Sequence, residues 1–203
     1  MNNIPFNVEI AFIAIGGILA IASLLSIALV YSKPARDHQE LRLRIKTWWL
    51  IVAVFAAAVL FNRTVPVVVL TFVSFLAFKE YLSLVPTRRA DHRVLFWAYL
   101  AIPIQFYWVW IAWYGLFIIF IPVFVFLFLP MRMILIGETT GFLRAIGTLQ
   151  WGLMITVFSL SHAAYMLVLP ANVNPAGGSM GLLIYLVFSV SYTHLRAHET
   201  LMN

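Results

Sequence analysis

The sequence predicts an all-α, polytopic membrane helix bundle, with six full transmembrane helices and a truncated seventh. Composition is the first observation behind this: 64% of the 203 residues are hydrophobic and 10% are charged. Soluble domains run at about 45–50% and about 25%. Segment length is the second, because apolar runs near 20 residues recur, the length a helix needs to cross hydrocarbon. The third is where the bases fall: in short clusters between the apolar runs, as in cytoplasmic loops. A water-soluble globule could not cover this much apolar surface with seven acids and thirteen bases. A soluble enzyme, a disordered chain and a free nucleic-acid binder are therefore excluded. No cysteine is present, so there is no disulfide framework, thiolate nucleophile or cysteine metal site.

The first span runs from Val8 to Tyr31, with Glu9 as its one charge. It is too long, and too well continued, for a cleavable signal. A polar stretch from Ser32 to Lys46 follows, and its Leu41/Ile45 spacing predicts an interfacial helix leading to Trp48 and Trp49 at headgroup level. The second span is short, Thr47–Phe61, and a tight turn at Asn62-Arg63-Thr64 leads into the third, Val65–Leu84. Pro66 sits in that helix's first turn, where its missing N–H does no harm. After a second polar segment, Lys79 to Arg93, the chain is almost wholly apolar from Val94 to Pro130, 37 residues. One straight helix of that length would measure about 55 Å, against a core of about 30 Å. The run must turn, and Tyr107, Trp108, Trp110, Trp113, Tyr114 and Gly115 mark the place. Pro103 and Pro122 should kink the two helices that result. A third polar loop covers Met131 to Arg144. The sixth span runs from Ala145 to Leu169, and Pro170–Ser179 is an uncharged turn.

Placing the three polar loops on one side puts eleven Lys and Arg there, against Arg63 alone on the other. The N-terminus is then outside and the polar loops cytoplasmic. The seventh run, Met180 to Val190, is half a crossing, and the composition then turns abruptly polar. His194, His198 and Glu199 have the spacing of a helical metal pair, which is weak evidence without a third ligand. The stretch from Val190 to Thr200 also resembles translated sequencing-adapter read-through. The division expected is a bundle over residues 1–190 and an artefactual tail over 191–203, with the native protein continuing past residue 190.

Polar side chains inside hydrocarbon are functional candidates because they are costly there. His162 is the clearest. In a regular helix it shares an arc of about 60° with Thr148 and Ser159, a face that could line a polar cavity or bind a headgroup. The plainer alternative is hydrogen bonding that holds helices together, which also suits Gln150. Arg88 and Arg89, in the densest charge cluster, have the planar fork that clamps phosphate; positive-inside placement alone would also put arginines there. Glu80 should pair with a base such as Lys79. In the third loop, Thr139 or Thr140 could cap the sixth helix, and Glu138 could hold Mg²⁺, although one acid is a weak signal. No P-loop, GxSxG, HExxH or paired-carboxylate motif occurs.

Several loop strings resemble a known family. Lys79-Glu80-Tyr81-Leu82, Pro86-Thr87-Arg88-Arg89-Ala90-Asp91-His92, Gly137-Glu138-Thr139-Thr140-Gly141-Phe142-Leu143-Arg144 and Gly147-Thr148-Leu149-Gln150-Trp151-Gly152-Leu153-Met154 resemble the N-terminal half of the phosphatidate cytidylyltransferase (CDP-diacylglycerol synthase) family. A bacterial branch of CDP-diglyceride synthases is the nearest match, over roughly residues 5–190. The family's diagnostic run, with Lys-Asp and His-Gly-Gly elements, is absent. The resemblance implies a membrane enzyme of the bacterial inner membrane that joins CTP to phosphatidate, releasing pyrophosphate, with Mg²⁺ held mostly by residues beyond this stretch. The 203-residue chain by itself is then expected to be inactive. Implied partners are CTP, phosphatidate and the lipid bilayer, no nucleic acid, and a homodimer as one option. Arg88, Arg89, Arg144 and His162 are the expected substrate contacts and Glu138 the expected metal contact. The rival is a transporter or exporter subunit with a polar path around His162 and Ser159, which internal hydropathy repeats would favour.

Overall fold

A computed structural model describes residues 6–32, 39–60, 64–85, 92–137, 141–173, 178, 181–187 and 189–190. These residues are helical almost throughout and include no strand. The chain divides into two compact units, residues 1–62 with 171–203, and residues 63–170.

In the first unit, α1 (Phe6–Ser32) packs against α2 (Gln39–Leu60). The Trp49 indole N–H donates to Ser23 Oγ at 3.0 Å, and Ser23 Oγ donates to the Leu19 carbonyl at 2.7 Å. The separate interfacial helix expected before Trp48 does not form as such. The amphipathic stretch and the apolar stretch are one continuous helix, because no proline or glycine lies between Gln39 and Leu60 to break it.

The second unit contains four antiparallel helical rods. The first two are α3 (Thr64–Leu84) and α4 (His92–Trp110). The third consists of α5 (Tyr114–Ile119), a π turn over Phe120–Val125, and α6 (Phe126–Ile136). The fourth consists of α7 (Phe142–Leu153), a π turn over Met154–Phe158, and α8 (Ser159–Met166). The long apolar run turns where the aromatic cluster indicated. Trp110 ends α4, Ala112 takes a left-handed φ of 58°, and Tyr114 opens α5. The third polar loop is shorter than expected, since the helix runs on to Ile136. Gly137 (φ 84°) caps α6 and Gly141 (φ 70°) precedes α7, two left-handed positions that glycine takes without steric cost. The N-cap position of α7 is Gly141, which has no side chain to cap with; the expected caps, Thr139 and Thr140, lie outside the described residues.

Four helical stretches are long and apolar enough to cross a membrane: Val8–Ala28, Thr64–Leu84, Tyr114–Ile136 and Phe142–Met166. α4 falls short of that standard, because Trp, Tyr and Gln dilute its apolar content. Among the described residues, these four are the crossings that length and composition support. A core of Phe78, Ile102, Phe106, Phe117, Leu129, Leu149 and Leu153 holds the second unit together. Outside it, large apolar side chains such as Phe72, Phe96, Leu127, Leu135 and Trp151 are exposed, as the lipid-facing surface of a membrane protein requires.

Candidate functional site

The two π turns organise the polar interior of the second unit. A π turn bonds N–H(i) to O(i−5), and the Phe126 N–H accordingly donates to the Ile121 carbonyl. In that register, the N–H facing the Phe117 carbonyl would belong to residue 122, which is proline and has none. Gln105 fills the gap. Its Nε2 donates to the Phe117 carbonyl at 3.0 Å and to Ser161 Oγ at 3.1 Å, with Gln105 and Ser161 both fully buried. Ser161 Oγ in turn donates to the Phe158 carbonyl. Gln150 does the same from the fourth rod, its Nε2 donating at 2.9 Å to the Phe126 carbonyl, four residues before Pro130. In the fourth rod's π turn, buried Ser74 Oγ donates to the Thr156 carbonyl at 2.7 Å. Proline survives in membrane helices when neighbouring side chains satisfy the carbonyls it strands.

These residues bear on the face proposed around His162. An extra residue per turn in Met154–Phe158 rotates everything after it relative to a regular helix. Thr148, before the turn, offers its carbonyl to the Tyr81 hydroxyl at 3.0 Å. Ser159 Oγ donates to the Met154 carbonyl, and His162 Nδ1 lies 2.8 Å from the Phe158 carbonyl. The His162 ring sits against Phe117 and Phe158, at centroid distances of 4.8 and 4.5 Å. Its described ring neighbours are thus aromatic, and Ser159 and His162 both face carbonyls of their own rod. Gln105 was the residue to notice. It is the one strongly polar side chain between Val94 and Pro130, and the cost argument applied to His162 applies to it equally.

Charge gathers at one end of the unit. α3 and α6 finish there and α4 and α7 begin there, so Lys79, Arg93, Arg132 and Arg144 come to the same end, with Glu80 as the acid among the described residues. Lys79, Glu80, Arg93 and Arg144 are exposed, while Arg132 is half-buried. Arg144 and His162 lie 18 residues apart on one rod, about 27 Å at 1.5 Å per residue, so one compact site does not hold both. Arg88, Arg89 and Glu138, with Thr139 and Thr140, lie outside the described residues, as does the 191–203 stretch. Among the described residues no group of three acids or histidines converges on a metal position. One exposed Glu80 at the basic end does not make a magnesium site.

At the other end, α3 and α4 enclose an open groove of about 550 Å³ lined by Thr64, Thr71, Phe75, Pro103, Phe106 and Trp110 among others. Its two threonine hydroxyls have partners: Thr71 donates to the Val67 carbonyl, and Thr64 accepts from the Trp110 indole at 3.3 Å. Such walls suit hydrocarbon and carry no charge to match a nucleotide's phosphates.

Comparison with known proteins gives one curated relative and one family. It is 35% identical over 174 residues to the uncharacterized protein YnbB of Escherichia coli (strain K12), a match covering 86% of this chain and 56% of that protein. The chain thus spans little more than half the length of this relative. No solved structure matches. Residues 42–197 match the cytidylyltransferase family, and with three-quarters of its length inside that match, this helical membrane chain belongs to the cytidylyltransferase family.

Proposed function

We propose that this chain forms the membrane bundle of an enzyme that transfers a cytidylyl group from CTP to phosphatidate, giving CDP-diacylglycerol and pyrophosphate. The family match over residues 42–197 carries the reading. The fold supports it: a water-soluble polyanion and a bilayer-bound phosphate can meet only at an interface, and the basic end of the second unit supplies one. A phosphatidate oxygen attacks the α-phosphorus of CTP, the bond from that phosphorus to its bridging oxygen breaks, and pyrophosphate leaves. Such a transfer depends on positioning and on neutralising charge more than on covalent help from the protein. We assign Arg88, Arg89 and Arg144 to phosphate contact. Mg²⁺ would accompany CTP, with Glu138 as its ligand from this stretch. Six crossings and a partial seventh, with the N-terminus outside the bacterial inner membrane, complete the proposal, and a homodimer is its proposed assembly.

The test uses the genomic reading frame containing this chain, purified into vesicles holding phosphatidate and supplied with CTP and Mg²⁺. CDP-diacylglycerol and pyrophosphate should appear in equal amounts. Arg88→Ala or Arg89→Ala each removes a charge-assisted contact of about 1.5–3 kcal/mol, lowering turnover roughly ten- to a hundredfold. Arg93→Ala should cost less. No product from that protein would sink the reading, and equal, negligible effects at all three arginines would reduce this loop to a topology signal.

A further inference from the structure

Arg132 differs from the other described bases of its unit. Lys79, Arg93 and Arg144 are exposed, whereas Arg132 is half-buried, with its guanidinium carbon 5.5 Å from the centroid of the Trp97 ring. Trp97 is held in turn by an edge-on contact with Phe128, centroids 5.2 Å apart, one helical turn before Arg132 on α6. The side chain is therefore clasped between α4 and α6 rather than free to sweep the interface. Its Nε is buried with no hydrogen-bond partner among the described residues. The side chain as a whole is only half-buried, so part of it still meets the surroundings of the unit. Arg132 lies four residues before the end of α6, about 6 Å along the axis, which is headgroup depth for a helix that crosses the bilayer.

A clasped, half-buried cation with an unpaired N–H is costly unless an anion completes it. A stacked guanidinium presents its donors as a planar fork, the geometry that suits a phosphate and that lysine does not reproduce. The surrounding charge favours the same class of ligand, with Lys79, Arg93 and Arg144 at this end against Glu80. We infer that Arg132, held on Trp97, receives the phosphate of a membrane lipid at the basic end of the second unit. This site does not depend on the transfer reaction proposed above, since any phospholipid headgroup carries the group it binds.

The experiment uses the purified 203-residue chain in neutral detergent. Dioctanoyl-phosphatidate, dioctanoyl-phosphatidylglycerol and inorganic phosphate are titrated separately, and bound lipid is counted by native mass spectrometry alongside the thermal unfolding midpoint. Both lipids should bind and raise the midpoint, and inorganic phosphate should do neither at equal concentration. R132M should weaken lipid binding tenfold or more, and K79Q twofold or less. R132K keeps the charge and most of the stem, so it guards against simple misfolding; it should still lose several-fold, because the fork and the stacking are gone. Native affinity in R132K would show a generic charge effect and overturn the assignment. Unchanged lipid retention in R132M would overturn it too, and equal stabilisation by inorganic phosphate would show a site for free anions rather than for lipid.

Discussion

The side-chain amide of Gln150 donates to the main-chain carbonyl of Phe126 at 2.9 Å. In a regular helix that carbonyl accepts from the N–H four residues on, and here that residue is Pro130. The amide of one rod thus supplies the donor that proline removes from another. Gln105 repeats the arrangement at the Phe117 carbonyl, five residues before Pro122 in a π turn. Two prolines and two glutamines are paired in this way, each pair tying two rods together at a point where one rod's own ladder is broken.

This pairing predicts coupling. Gln150→Leu should destabilise the bundle by about 1 kcal/mol, within the range for interhelical hydrogen bonds in membranes. Pro130→Ala restores a backbone N–H for Phe126, so the same change in that background should cost much less. A double-mutant cycle by SDS titration in mixed micelles measures this. Strict additivity would show that the amide does not replace the proline's lost donor.

At Gln105 the stakes are higher, because the residue is fully buried and also bonds Ser161 Oγ. Gln105→Leu leaves the Phe117 carbonyl without this donor and should cost about 1–3 kcal/mol. Gln105→Glu should be worse, since it places an acid inside the span. Unfolding midpoints that rank the two substitutions the other way would contradict the assignment.

Helix contact at Gly152 is close. A Cβ built there would lie 2.5 Å from Tyr81 Cε1 and 3.1 Å from Phe78. The Tyr81 ring cannot simply swing away, because its hydroxyl is tied to the Thr148 carbonyl one turn earlier. Gly152→Ala should therefore destabilise by about 1–3 kcal/mol through overpacking. Gly147→Ala, with nothing within 4 Å, should be neutral or favourable by up to about 1 kcal/mol from helix propensity. Thermal midpoints of the two variants should separate clearly.

The eleven-to-one distribution of bases predicts sidedness. Reporter fusions at Gln39, Asp91 and Thr139 should read as cytoplasmic, and fusions at Arg63 and Asn174 as external. A swap at any one of them would overturn the assigned order of crossings.

The sequence by itself determined that this is a helical membrane protein, where its long apolar run must turn, and which family it resembles. Composition and segment length decide the first two, because hydrocarbon admits few alternatives to a helix of about 20 residues. Local strings carry the third, and the match over residues 42–197 agrees. Only the tertiary structure decided which polar residues meet. The arc of Thr148, Ser159 and His162 assumed regular α geometry throughout, and the π turn at Met154–Phe158 rotated its two halves apart. No periodicity in the sequence announces such a turn, in which Ser74 of another rod bonds the Thr156 carbonyl. Gln105 and Phe117, twelve residues apart across a turn, and Trp97 beneath Arg132, from two different helices, become partners only once the rods pack. A one-dimensional pattern records where polar groups are expensive, and the packing of helices decides which backbone groups they are there to satisfy.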